Sequence, residues 1–150
     1  MSRMFEDAVC FNGHLVFDTV SVRNMYNMFQ GASTYNRPMA PTPGYWDVSG
    51  VTDMRGIFNR AYAFNQDISA WQVLSVQDFS YAFFDANAFN QNIGGWVTSS
   101  ATKMYQMFAG ANVFNQDLNS WDVSAVTDIP ASGCPSYPEL SLRIRPLLAT

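Results

Sequence analysis

Ala61-Tyr62-Ala63-Phe64-Asn65-Gln66-Asp67-Ile68-Ser69-Ala70-Trp71 decides the fold, because it comes back. It recurs as Ala86-Asn87-Ala88-Phe89-Asn90-Gln91-Asn92-Ile93-Gly94-Gly95-Trp96, and again as Ala111-Asn112-Val113-Phe114-Asn115-Gln116-Asp117-Leu118-Asn119-Ser120-Trp121. Tryptophans at 46, 71, 96 and 121 fix a step of 25 residues. A fixed step of this size means stacked units, each too small to bury its apolar face without a neighbour.

Working outward, the frame extends in both directions. Phe17-Asp18 stands where Trp46-Asp47 and Trp121-Asp122 stand, followed in step by Val22, Met25, Met28-Phe29, Ala32 and Tyr35-Asn36. Met1, Met4-Phe5, Ala8 and Phe11-Asn12 match that last set. The repeats therefore divide as a partial unit 1–16, units 17–45, 46–70, 71–95 and 96–120, and a partial unit 121–129. Residues 130–150 carry no repeat position and read as a cap or a flexible tail. Met1 falls in mid-repeat, so the sequence reads as a piece of a longer chain. The second unit is extended at Arg37 to Tyr45, where three prolines and a glycine mark a loop outside the frame.

Within a unit, Met54, Ile57, Phe58 and Ala61 fall at i, i+3, i+4 and i+7. That is helical spacing, with Thr52 or Asp53 placed to cap the start. Gly56 inside it costs about 1 kcal/mol against alanine, which keeps the helix short. Asn65 to Ser69 reads as a brief half-buried strand, with Ile68 inward and Asp67 and Ser69 outward. The expected fold is an α/β solenoid whose units each hold a short parallel β-strand plus a short helix or 3-10 turn.

The consensus Trp-Asp-Val-Ser-x-Val-Thr-Asp-Met, then Phe, Ala and Phe-Asn-Gln-Asp-Ile, resembles the repeat of the BspA-like leucine-rich repeat surface proteins, a group common in mycoplasmas. The resemblance runs from Met1 to about Ile129. It implies a leucine-rich-repeat-like stack with a parallel sheet on one face, a cell-surface or secreted setting, and adhesion to extracellular proteins or glycans. The chain departs from that pattern in showing neither a secretion signal nor a wall-anchoring module.

Composition narrows the function classes. The chain has 150 residues and a net charge of −4, which argues against a nucleic-acid partner needing a basic stripe over its phosphates. No apolar run approaches the ~20 residues of a membrane-spanning helix, so membrane insertion is not expected. Cys10 and Cys134 lie at opposite ends of the repeats. Several units about 4.8 Å apart would separate them, too far for an intramolecular bridge.

Each polar row has a plain reading beside a functional one. The asparagines 12, 36, 65, 90 and 115 either serve the backbone of the turns or face a ligand. Asp67, Asn92 and Asp117 form a second row that is plain polar surface, part of a protein-binding face, or a cation site. The last is weak, because the middle member is an amide and one unit supplies too few oxygens. The tryptophans and the methionines 25, 28, 54, 104 and 107 read as core. His14 is the only histidine, and no nucleophile, base or phosphate loop accompanies it. Catalysis, cofactors and metals are therefore not expected.

The expected function is non-enzymatic adhesion to an extracellular protein or glycan. The candidate contacts are Asp67, Ser69, Asn92 and Asp117, with Arg37 and Tyr45 on the insertion, where solenoid binding loops tend to sit. The alternative is a structural spacer in a longer surface array, with no ligand of its own. Uncapped ends would also allow edge-to-edge self-association.

Overall fold

The computed structural model describes residues 1–39 and 46–128. Among them there is no helix and no extended strand, only turns and three isolated parallel bridges: Asn24 to Asp53, Asp53 to Asp78, and Asp78 to Lys103. The α/β reading is thus corrected, and the leucine-rich-repeat expectation falls with it, since such a unit needs both a strand and a helix.

A ribbon of consecutive turns occupies the expected helix. Ile57 donates its N–H to the Met54 carbonyl, Asn59 to Gly56 and Ala61 to Phe58, each three residues back. The intervening donors leave the ribbon: Met54, Gly56, Phe58 and Arg60 donate to the carbonyls of Asp78, Ser80, Ala82 and Phe84 on the next rung. A helix keeps all these bonds to itself; this ribbon shares every second one with a neighbour. Rungs starting at Met25 and Phe79 repeat the scheme, with Phe29 donating to Ile57 and Phe83 to Met107.

Turning alternate N–H groups outward requires a left-handed residue every fourth position. Pairs at 27 and 31, 56 and 60, 81 and 85, and 106 and 110 all have positive φ, as do Arg3 and Asp7. The ribbon's period of four places apolar residues at i, i+3, i+4 and i+7 just as a helix does. The pattern was read at the wrong period, and Gly56 marks a left-handed position (φ 63°), where glycine carries no steric penalty.

The expected strand at Asn65–Ser69 is also absent. Ile68 is buried there and Asp67 and Ser69 are exposed. The Asn65 N–H, however, goes to the Asn36 side chain rather than to a backbone ladder. Strand-like contact lies before the ribbon instead, where Thr52 donates to Arg23 and Met25 to Asp53.

The core is two columns of stacked rings plus the indoles. Within rungs, Phe58 stacks on Phe64 at 3.8 Å and Phe83 on Phe89 at 4.1 Å. Between rungs, Phe29, Phe58, Phe83 and Phe108 follow one another at 5.5 to 5.7 Å. The tryptophans are 2–3% exposed. Trp71, Trp96 and Trp121 each donate the indole N–H to a carbonyl of the rung before: Met39, Ile68 and Ile93 respectively. Stacked pairs add roughly 0.5–1.5 kcal/mol each beyond the area they bury.

Two substitutions test this architecture. Gly110 has φ of 75°, and a Cβ there would collide with the Asp85 carboxylate on the preceding rung. Gly110→Ala is expected to lower unfolding stability in urea by roughly 1–2 kcal/mol or more. Tyr35 holds the ring position that Phe64, Phe89 and Phe114 hold elsewhere, and its buried hydroxyl has no hydrogen-bond partner. Tyr35→Phe removes that unmet group and should raise stability by about 1 kcal/mol in the same measurement.

Candidate functional site

The polar rows are largely occupied by the fold's own backbone. Asp67, Asn92 and Asp117 each turn Oδ1 to accept the N–H two residues on, from Ser69, Gly94 and Asn119, at 2.9 to 3.0 Å. Asp18, Asp47 and Asp122 do the same at the corner beside the aromatic position, and Asn24, Asp53 and Asp78 at the start of the ribbon. Each is an Asx turn, the local bond that makes Asp and Asn favourable at chain reversals. Asp67, Ser69, Asn92 and Asp117 remain exposed, but the row is first a row of corners.

The asparagine row is a ladder between rungs. Asn36, Asn65, Asn90 and Asn115 donate their N–H groups to Oδ1 of Asn12, Asn36, Asn65 and Asn90. Gln66, Gln91 and Gln116 add side-chain donors to the same oxygens at 2.7 to 2.9 Å. Arg37 is exposed, with Nε donating to the Asn12 carbonyl at 2.8 Å, so its guanidinium is tied back to the first rung. Tyr45 lies outside the described residues, as do most of the insertion, Cys134 and the tail.

A further set of varied positions runs along the turn ribbon, and part of it also serves the framework: Asn27 and Ser80 are buried, and Asn27 and Gly56 hold left-handed positions. At one frame position successive rungs place Tyr26, Arg55, Ser80 and Tyr105; at the next, Asn27, Gly56, Tyr81 and Gln106. The flanking apolar positions barely vary, yet these do. Arg3 and Arg55 lie over the Tyr26 ring at 5.1 and 4.3 Å. Tyr81 meets Tyr105 and Phe84 edge to face at 5.3 and 5.7 Å. Arg55 and Arg60 are exposed, while Tyr26, Tyr81, Phe84 and Tyr105 are half-buried. Rigid aromatics and arginines are the residue types that dominate binding hot spots. The sequence signal is the placing of tyrosine and arginine at positions that vary between units beside apolar positions that do not.

Residues 1–41 and 40–132 match the family described as "Mycoplasma protein of unknown function, DUF285". The chain belongs to that family. The two matched stretches meet inside the insertion, and they carry the repeat without reaching the narrower BspA-like group. No curated protein and no solved structure matches the chain. Among the described residues no group of three or more His, Cys, Asp or Glu side chains is placed to hold a metal ion, and no helix is long and apolar enough to cross a membrane.

The corners set a pH dependence. Asp47, Asp67 and Asp122 are held below their ordinary carboxylate value of 3.8, first by the hydroxyl and then by the N–H of the serine two residues on. Their folded-state values are depressed, so their contribution is complete above the unfolded value and is lost as pH falls through the folded one. Denaturation midpoints followed downward from about pH 5 to about pH 2 should decline across that window. A Ser49→Ala/Ser69→Ala/Ser124→Ala chain should decline less steeply; an equal slope would show that the hydroxyls contribute nothing.

Proposed function

We propose that the protein is a non-enzymatic binding module of the cell surface, of the kind its resemblance to BspA-like surface proteins suggests, engaging an extracellular protein or glycan. The observation that carries this reading is the clustering of arginines and aromatics along the ribbon, Arg3, Tyr26 and Arg55 on one stretch and Tyr81, Phe84 and Tyr105 on the next, beside apolar positions held by packing. These six are the binding residues in this reading. Asp67, Ser69, Asn92 and Asp117 are exposed corner residues elsewhere on the rungs, and Arg37 is tied to the Asn12 carbonyl of the first rung.

The array supplies a stiff, hydrogen-bonded platform, so little side-chain order has to be gained on contact. The test is a screen of the chain against immobilised extracellular matrix proteins and a glycan array. Any ligand retained should lose about tenfold or more in affinity on Tyr26→Ala/Arg55→Ala or Tyr81→Ala/Tyr105→Ala, and change little on Ser69→Ala. Binding of nothing, or binding indifferent to both pairs, would favour the spacer reading instead.

A further inference from the structure

We propose that Asn12 is a site of spontaneous deamidation, a covalent change built into the first step of the asparagine ladder and independent of any ligand. Asn12 is followed by Gly13, whereas Asn36, Asn65, Asn90 and Asn115 are followed by arginine or glutamine. The reaction needs the backbone nitrogen of the next residue to reach the side-chain carbonyl carbon, and a Cβ on that residue obstructs the approach. Only the first ladder asparagine lacks the obstruction.

Three features of the folded chain bear on the reaction. Asn12 is exposed, so water and hydroxide reach it. Among the described residues no hydrogen bond engages the Gly13 N–H, which leaves the nucleophile available. The Asn36 N–H donates to Asn12 Oδ1 at 3.0 Å, polarising the carbonyl and facing the oxygen on which negative charge develops. In the step, the Gly13 nitrogen loses its proton to base and bonds to Asn12 Cγ. The Cγ–Nδ2 bond breaks, and the amide nitrogen takes up a proton and leaves as ammonia. The five-membered imide that remains is opened by water at either carbonyl, giving aspartate or isoaspartate. The sum is asparagine plus water to acid plus ammonia.

The products act differently on the stack. Aspartate keeps an oxygen for the Asn36 N–H and adds a negative charge beside Arg37, whose Nε already donates to the Asn12 carbonyl at 2.8 Å. Isoaspartate carries the main chain through Cγ, lengthening it by a methylene, and turns the carbonyl that Arg37 holds into a free carboxylate. The change thus bears on the joint between the first rung and the insertion.

The experiment is incubation of the full chain at mildly alkaline pH and 37 °C, with peptide mapping by mass spectrometry over days. The peptide containing Asn12 should gain about one dalton and split into two isomers before any other ladder asparagine changes. Gly13→Ala should slow the gain by about tenfold. The atoms nearest an added Cβ belong to the Phe11 ring, at 3.0 Å, so a side chain and not the backbone has to give way. Two results would overturn the proposal: an Asn12 peptide that stays unmodified in the folded chain while the urea-unfolded chain converts, or equal rates with and without Gly13→Ala.

Discussion

Every second N–H of the turn ribbon leaves its own rung and bonds to the next, and most of the molecule follows from that division. A ribbon holding only half its bonds cannot stand alone, so a single unit has no stable form in water. Neighbouring rungs are thereby locked in register. The rings at Phe29, Phe58, Phe83 and Phe108 then fall one above another at a separation close to van der Waals contact. Ring stacking and backbone bonding demand the same rise per rung. Where such levels of structure agree, the sequence specifies one arrangement.

The same constraint explains the left-handed residues and their chemistry. Asx and glycine take left-handed φ at least cost. They alternate between rungs at the same frame position: Asp7 then Gly31, Asn27 then Gly56, Asp85 then Gly110. In each pair the side-chain oxygen of the first occupies the space a Cβ of the second would need. Glycine therefore serves its own backbone and its neighbour's side chain together. Arg60, Tyr81 and Gln106 adopt the same conformation without either advantage. Arg60 and Tyr81 are held there by N–H bonds to Phe84 and Tyr105 on the next rung.

How much of this was legible depends on which residues are considered. The period, the stacked core and the inward turn of Phe64, Ile68 and Trp71 follow from identical residues at identical spacing, and burial of such side chains admits few alternatives. The local conformation did not follow. Met54, Ile57, Phe58 and Ala61 satisfy a period of 3.6 and a period of four equally over eight residues, and hydrophobic spacing alone cannot separate them. Glycine and Asx recurring at two positions four apart would have done so, because a helix has no use for left-handed residues in its interior. The polar rows were legible as rows but not as Asx corners, since the same Asp or Asn can face a ligand or its own chain. The ribbon face carries no residue type that recurs in every unit, so the period gives it no signature.

The break in the frame shows what register contributes. Trp71, Trp96 and Trp121 reach the carbonyls of Met39, Ile68 and Ile93, so the counterpart for Trp46 is Leu15. Between Leu15 and Phe17 the first unit spends two residues where later units spend three, and Trp46 sits at φ 48° directly after the insertion. Among the described residues its buried indole N–H finds no acceptor, and the Tyr35 hydroxyl has no partner. An unmet buried polar group costs about 1–3 kcal/mol, and the one at Trp46 falls where its rung meets that of Leu15 and Phe17. Local opening is drawn from the least stable boundary of a cooperative array. The insertion, the shortened unit and the meeting point of the two family-matched stretches therefore bear on one region.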